Sequence, residues 1–145
     1  MTMEIQQLDD IASVATRTLT EIFPSNNEAA AAAVVTEDYR DHEAPEGAPT
    51  GPAALIHTMR MLSSWFSDQR WEIEDTVTEG DVVAIRCLHS GRHTGEFFGI
   101  APTGRTFSYR QMHFIRMRDG KGAEHWGVRD DASLMRQLTA SHPAS

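Results

Sequence analysis

Apolar residues in the N-terminal part of the chain recur at spacings of three and four, which is the period of an amphipathic helix. The pattern predicts a first helix over Glu4–Phe23, and Pro24 ends it because proline cannot continue the backbone hydrogen bonds of a helix. A second, shorter helix is expected to run through Ala33, with Asn26 or Asn27 as its cap.

A third helix is predicted where Thr50 offers a cap and Pro52 suits the first turn. Its apolar stripe comprises Leu55, Met59, Leu62, Trp65 and Phe66. Between the second and third helices, residues Glu37–Pro49 are predicted to form an irregular polar loop. This loop carries ring and carboxylate groups, either in solvent or at the mouth of a pocket, at Tyr39, Asp41, His42 and Glu43.

From Arg70 the period of the apolar residues changes to two, which indicates half-buried strands. Turn signals at Glu79-Gly80-Asp81 and at Asp119-Gly120 divide this half of the chain into hairpins. The predicted elements are a strand from Arg70, strands over Asp81–Thr94, Thr106–Arg118 and Gly122–Arg129, and a terminal helix over Asp131–Ala140.

Helices that precede a run of hairpins indicate an α+β fold, in contrast to a parallel sheet alternating with helices. The chain has 145 residues, of which 40% are hydrophobic, so we assign residues 1–145 to a single domain with its own core. N-terminal helices packed on a curved antiparallel sheet form a cone. The open end of such a cone is a natural site for a hydrophobic small molecule.

The charge balance argues against two classes of partner. The chain has 13 Lys and Arg against 21 Asp and Glu, a net charge of -8, so neither nucleic acid nor an anionic membrane is expected to attract it. The sequence lacks a signal-peptide pattern, and no apolar stretch approaches the roughly 20 residues of a membrane span. The single cysteine, Cys87, is expected to be a buried hydrophobe, which suits a cytoplasmic location.

The third strand separates its side chains into two faces. Tyr109, Gln111 and His113 share one face with apolar neighbours, and polar groups on a buried face must be hydrogen-bonded. The other face carries three arginines together with Met112 and Phe114. We expect this outer face to be solvated or to join copies of the chain in a homodimer or higher homo-oligomer.

On the fourth strand His125 and Arg129 share a face, and the hairpin at Asp119-Gly120 allows His125 to pair with His113. The sequence does not specify the register of the two strands. Two histidines in one cavity can bind a metal. However, the clusters and spacings of common metal sites are absent from the sequence, so no metal is predicted. Phosphate-loop and dinucleotide motifs are absent as well, so no cofactor is expected.

The second half of the chain carries an ordered string of short motifs. They are Gly91-Arg92-His93-Thr94-Gly95, Gly99-Ile100-Ala101-Pro102-Thr103-Gly104-Arg105, Phe107, Gln111-Met112-His113, Asp119-Gly120-Lys121, Glu124-His125-Trp126 and Leu134-Met135-Arg136-Gln137-Leu138. With Tyr39 and Thr50-Gly51-Pro52, this string resembles the SnoaL-like polyketide cyclases of the nuclear transport factor 2-like superfamily.

The resemblance implies an α+β cone around a hydrophobic pocket, usually in an oligomeric protein. It also implies an enzyme that closes a ring of a polyketide ester by aldol chemistry without a cofactor. In such an enzyme a carboxylate removes an α-proton and neighbouring polar groups stabilise the enolate. Gln111 and His113 match pocket-lining residues of the family, whereas Gly127 occupies the place of its catalytic aspartate. The nearest carboxylates in the sequence are Glu124, Asp130 and Asp131.

Three functions remain open. The first is a cofactor-independent enzyme acting on a hydrophobic carbonyl or polyketide-like compound, with His113 as acid/base, Gln111 as oxyanion donor, and His125 or Asp130 as second proton carrier. The second is a hydrolase, isomerase or hydroxylase of the same fold, in which Arg129 pairs with a carboxylate. The third is a non-catalytic binding module, which the missing aspartate favours. The predicted substrate-binding residues are Tyr39, His42, Met59, Trp65, Phe97, Phe98, Tyr109, Trp126 and Arg129.

Overall fold

The computed structural model describes residues 11–140, and its helices precede most of the sheet, as predicted. Helix α1 (Ile11–Arg17) continues through a π-helical turn (Thr18–Ile22) and a short helical turn (Phe23–Ser25). Asn26 then adopts a left-handed conformation with φ 53°, which ends the helical segment. The part of the first predicted helix before Ile11 lies outside the described residues.

Helix α2 (Glu28–Ala33) is capped by Asn27, whose side-chain oxygen accepts a backbone hydrogen bond at 3.0 Å. Helix α3 (Pro52–Trp65) has Gly51 at its cap position, without a side-chain cap, so the predicted cap at Thr50 is wrong. Among residues 11–140, none of the helices has the length and apolar character needed to cross a bilayer.

The sheet has five strands in the order β1-β5-β4-β3-β2. They are β1 (Val35–Asp41), β2 (Phe66–Glu79), β3 (Val82–His93), β4 (Thr106–Arg118) and β5 (Lys121–Arg129). Strands β2 to β5 are the predicted antiparallel strands, although β2 begins at Phe66, before the predicted Arg70. The last hairpin turns at Asp119 and Gly120, both with positive φ, as a tight two-residue turn requires. Helix α4 (Asp131–Thr139) follows β5.

Strand β1 is the element that the sequence analysis missed. The residues from Glu37 onward were predicted to be irregular, but Val35–Asp41 pairs in parallel with β5, so the sheet is mixed and not wholly antiparallel. Its composition hides it, because three of its side chains are acidic and it lacks a strict alternation of apolar and polar residues. The pairing brings the end of β1 to the site, since Asp41 is in register with His125.

The inner face of the sheet packs against the helices. Two register shifts in β2 mark bulge-like irregularities, which bend a strand. Trp71 on β2 makes an edge-on contact with Phe23, with ring centroids 5.6 Å apart, and so ties the first helical segment to the sheet. Cys87 is fully buried in this core, as expected, and burial raises the pKa of its thiol to about 11.

The two faces of β4 divide as the spacing predicts. Tyr109, Gln111 and His113 are buried, whereas Met112 and Phe114 are 50% and 55% exposed on the outer face. The predicted association of two copies through this outer face stays a prediction.

Candidate active site

A cavity of about 400 Å³ lies between the inner face of the sheet and the helices, in the size range of small-molecule sites. Most of its lining is apolar, with side chains from α1, α3 and the sheet. The predicted site residues that line it are Tyr39, Trp65, Phe97, Phe98, Tyr109, Gln111, His113, His125 and Arg129.

The other predicted site residues lie outside this lining. His42 stacks on Trp126, with ring centroids 4.5 Å apart, and its Nε2 is 3.0 Å from a carboxylate oxygen of Glu124. Met59, on helix α3, is buried in the hydrophobic core. Asp130 caps helix α4 by accepting a backbone hydrogen bond at 3.0 Å. The structure therefore does not bring these four predicted residues to the cavity.

A continuous series of hydrogen bonds runs along the wall of the cavity. Asp41 Oδ1 is 2.9 Å from His125 Nδ1, and His125 Nε2 is 2.8 Å from His113 Nδ1. His113 Nε2 is 2.9 Å from Oε1 of Gln111, whose amide nitrogen is 3.0 Å from the hydroxyl oxygen of Tyr109. We refer to these five side chains as the polar chain.

Strand register creates the contact between the two histidines. In the β4–β5 pairing His113 lies opposite Gly127, so that His125, two residues away, projects from the same face. Because Gly127 has no side chain, the two imidazole rings approach diagonally, with centroids 5.0 Å apart. The sequence indicated that the histidines could pair, and the register shows that they touch.

The space beside Gly127 is occupied by a carboxylate from another part of the chain. A Cβ built on Gly127 would lie 2.7 Å from Oε1 of Glu43 and 3.0 Å from Nδ1 of His113. Glu43 follows β1, forms a two-point ion pair with Arg129, and lies 3.6 Å from Nδ1 of His125. A carboxylate is therefore present at this place, although residue 127 does not supply it.

Asp41 and Glu43 are the site residues that the sequence analysis did not assign. The carboxylate-rich stretch after α2 was the sequence signal that could have found them. Its position relative to the sheet was not predictable, because β1 was not predicted. Asp41 lines the cavity, and its Oδ1 accepts hydrogen bonds from His125 and from the backbone N–H of Glu43. Its Oδ2 has no hydrogen-bond partner among residues 11–140.

Burial and neighbouring charges set the protonation states around the cavity. Burial, followed by the charge of His125, holds the pKa of His113 well below its ordinary value, so its ring is neutral. Burial alone would raise the pKa of Asp41, but the hydrogen bond and charge of His125 outweigh it, so the carboxyl is ionised. Burial and the charges of Asp41 and Glu43 raise the pKa of Tyr39, whose hydroxyl keeps its proton.

Glu43, His113 and His125 place potential metal-ligand atoms within 4.8 Å of one another. The facing nitrogens of the two histidines are 2.8 Å apart. Two nitrogens bound to one tetrahedral ion would be about 3.3 Å apart, given metal–nitrogen distances of about 2.0 Å. In the arrangement that the structure describes, the two nitrogens share a hydrogen bond.

Comparison with known proteins identifies a family that covers most of the chain. The profile of the family described as SnoaL-like polyketide cyclase matches residues 13–138. The aklanonic acid methyl ester cyclase AcmA from Streptomyces galilaeus is 35% identical over 94 residues, which cover 64% of this chain and 65% of that protein. The match thus spans less than two thirds of AcmA. The aklanonic acid methyl ester cyclase DauD from Streptomyces sp. (strain C5) is 31% identical over 88% of this chain and 81% of that protein.

Solved structures confirm the fold. IdmH from Streptomyces antibioticus superposes with a TM-score of 0.76 at 29% identity, covering 88% of this chain and 97% of that chain. TsrD from Streptomyces laurentii superposes with a TM-score of 0.78 at 24% identity, covering 93% and 96%. The predicted α+β fold of the nuclear transport factor 2-like type is therefore confirmed. With the profile match along most of the chain, it follows that this protein belongs to the SnoaL-like polyketide cyclase family.

Proposed function

We propose that this protein is a polyketide cyclase that closes a ring in a hydrophobic, ester-bearing polyketide by intramolecular aldol addition. The names of the relatives AcmA and DauD state that they cyclise aklanonic acid methyl ester. The observation that carries the proposal is the Asp41 carboxylate, which lines the cavity and ends the polar chain. It offers a general base where Gly127 cannot.

The apolar wall of the cavity suits a flat, conjugated substrate. Trp65 contacts Phe97 and Phe98, with ring centroids 4.8 Å and 5.3 Å apart. Aromatic faces and edges pack well against planar rings, and their burial provides most of the binding energy for such a molecule. A cavity of about 400 Å³ accommodates a ligand of this class.

Asp41 is positioned to act as the general base. Hydrogen bonds from His125 and from the Glu43 backbone hold Oδ1, so Oδ2 can take a proton from a substrate carbon that lies between two carbonyl groups. Loss of that proton leaves an enolate. The enolate carbon then attacks a second carbonyl of the same molecule, which forms the new C–C bond and leaves a negative charge on the carbonyl oxygen.

The proton taken by Asp41 passes to this oxygen, so the carboxylate is restored and no proton is consumed. Tyr39 keeps its proton, lines the cavity, and has no hydrogen-bond partner among residues 11–140, so we assign it the stabilisation of the oxyanion. Gln111, the predicted oxyanion donor, instead directs its amide to Tyr109. The steps transfer only protons and one electron pair, so the proposal includes no cofactor.

His113, the predicted acid/base, has both ring nitrogens engaged in the polar chain. We therefore propose that it positions His125 and does not touch the substrate. His125 in turn holds Asp41 through the hydrogen bond between its Nδ1 and Oδ1 of the carboxylate.

The substitution Asp41→Asn tests the proposal, because it keeps the shape of the side chain and removes the base. We expect kcat for cyclisation of aklanonic acid methyl ester, or of a related polyketide methyl ester, to fall by about 10²–10⁴-fold. Chromatography with mass detection measures a product of unchanged mass. The control is Asp38→Asn, since Asp38 is an exposed carboxylate on the same strand that bonds Thr36 and Arg118. Wild-type turnover by Asp41→Asn would contradict the proposal.

Hydrolysis is the second candidate, and the ion pair between Glu43 and Arg129 at the cavity wall favours it. A carboxylate held by a guanidinium can orient a water molecule for attack on an ester or epoxide. In water enriched in oxygen-18, hydrolysis adds a labelled oxygen to the product, whereas cyclisation adds none. Tight binding of the same compounds without turnover by the wild type would instead support a binding module.

A further inference from the structure

Gln111 lies where the polar chain meets the hydrophobic core. Its Oε1 is 2.9 Å from Nε2 of His113 and 3.2 Å from the indole Nε1 of Trp71. Its amide nitrogen is 3.0 Å from the hydroxyl oxygen of Tyr109, and all four side chains are buried. In such surroundings an unpaired donor or acceptor is costly, so these contacts restrict where the protons lie.

Trp71 determines the orientation of the Gln111 amide. An indole nitrogen donates a hydrogen bond and never accepts one, so the atom facing it must be the amide oxygen. If the amide turned over, its NH₂ group would meet the indole N–H, and two buried donors would lack an acceptor. The orientation of Gln111 is therefore set by a residue of β2 that is hydrogen-bonded to Gln111 and, among the described residues, to neither histidine of the polar chain.

The amide oxygen in turn sets the tautomer of His113. A carbonyl oxygen only accepts, so Nε2 of His113 carries a hydrogen and donates it to Gln111. The ring is neutral because burial holds the pKa of His113 well below its ordinary value. Its Nδ1 is then an acceptor, and the hydrogen in the 2.8 Å contact belongs to Nε2 of His125.

The last contact of the series holds an additional proton. His125 Nδ1 lies 2.9 Å from Asp41 Oδ1, and without a hydrogen between them two lone pairs would meet. Because Nε2 of His125 already carries a hydrogen, this one is either a second ring proton or the carboxyl proton of Asp41. The hydrogen bonds that keep the pKa of Asp41 below its ordinary value place it on the ring.

We propose that Trp71 is a positioning residue that acts through Gln111 and His113 to retain a proton on the Asp41–His125 pair at the cavity. Release of this proton from Nε2 of His125 would require the hydrogen bonds from His125 to His113 and from His113 to Gln111 to reverse, while Nδ1 still donates to Asp41. The indole N–H of Trp71 opposes that reversal, because it holds the amide oxygen of Gln111 in place.

Other charged or titratable groups surround the pair. Glu43 lies 3.6 Å from Nδ1 of His125 and favours the retained proton, while Arg129 on β5 disfavours it and is paired with Glu43. Tyr39 on β1 stays protonated, and His89 on β3, beyond Gln111, is neutral because burial lowers its pKa to about 3. None of these groups sets the tautomer of His113, since only Gln111 and His125 are hydrogen-bonded to that ring among the described residues.

Nitrogen-15 NMR of the imidazole rings tests the proposal without a substrate. In wild-type protein at about pH 7.5, above the ordinary range of histidine titration, we expect His113 to have a protonated Nε2 and an unprotonated Nδ1. In Trp71→Phe the amide of Gln111 is free to turn, so Nδ1 of His113 should shift towards the protonated range as the reversed tautomer is populated. The matched control is Trp65→Phe, which removes an indole from the same cavity that makes no hydrogen bond to Gln111.

A hydrogen on Nδ1 of His113 in the wild type would overturn the proposal, and this measurement decides even if Trp71→Phe does not fold. A folded Trp71→Phe with the wild-type pattern would also overturn it. The presence of the retained proton does not depend on the proposed function, but its use to stabilise an enolate rests on that function. Wild-type turnover by Asp41→Asn would therefore contradict the proposed function and leave the NMR result valid.

Discussion

Gly127 lies where side chains from its own strand, from the neighbouring strand β4 and from the segment after β1 converge. Glycine in the interior of a strand weakens it, because the backbone loses more freedom and no side chain packs. Here the missing side chain leaves room for Glu43 and for the contact between His113 and His125. The absence of a side chain at residue 127 therefore leaves space for the carboxylate of Glu43.

We predict that Gly127→Ala destabilises the protein by about 1–3 kcal/mol, because the new methyl group crowds Glu43 and His113. The Glu43 side chain can move aside, but His113 is held at both ring nitrogens, so the strain falls on the polar chain. The matched control is Gly122→Ala on the same strand, where the nearest neighbour of a Cβ would be at an ordinary 3.6 Å. Urea unfolding measures both variants, and equal stabilities would contradict the prediction.

At the scale of elements, the junction between β1 and α3 positions Asp41, the proposed base. Gly51 precedes α3 with φ 70°, and its N–H donates to the carbonyl oxygen of Tyr39 at 2.7 Å. A Cβ at Gly51 would collide with the backbone carbonyl oxygen of Glu37. This close approach fixes the start of the helix against the strand that carries Tyr39 and Asp41.

Gly51→Ala should therefore destabilise the protein by about 2–4 kcal/mol, because backbone strain and a backbone collision add. Gly47→Ala is the control, since Gly47 also has a positive φ of 86° but has nothing within 4 Å of a Cβ. Gly47→Ala should destabilise the protein only through backbone strain, by about 1 kcal/mol. Thermal unfolding compares the two variants, and similar losses would show that the collision has no cost.

At the scale of the whole molecule, the fold buries His89 and His113 in their neutral form. Burial lowers the pKa of His89 to about 3, and burial also holds the pKa of His113 well below its ordinary value. In the unfolded chain both histidines would have a pKa of about 6.5. Below that pH the unfolded chain binds protons that the native state does not bind, so stability falls as the pH falls.

We predict that each of these histidines lowers the free energy of unfolding by about 1.4 kcal/mol per pH unit below about pH 6. The contribution of His89 continues until the pH reaches its folded pKa of about 3. His89→Gln should reduce the slope of stability against pH by about one proton. The control is His57→Gln, a substitution of the same type at an exposed position. Urea titrations between about pH 7 and 5 measure the slope. An unchanged slope in His89→Gln would show that His89 does not lose a proton on folding.

Local spacing was sufficient to predict four strands and the faces of β4. The inward position of Gln111 and His113 depends only on the alternation of side chains along a strand, which neighbouring residues reveal. Strand β1 was not predictable in this way, because its residues are largely polar and its partner is the distant β5. Asp130 illustrates the same limit, since a carboxylate near His125 in the sequence caps a helix in the structure.

The amino-acid sequence by itself determined the α+β class, the family resemblance and the face that carries the histidines. These properties depend on motif order and on periodicity, which are local. Only the tertiary structure decided which carboxylates complete the site, because Asp41 and Glu43 reach His125 through the parallel pairing of β1 with β5. A contact between distant segments leaves no periodic trace in either segment, and it forms only when the whole sheet assembles.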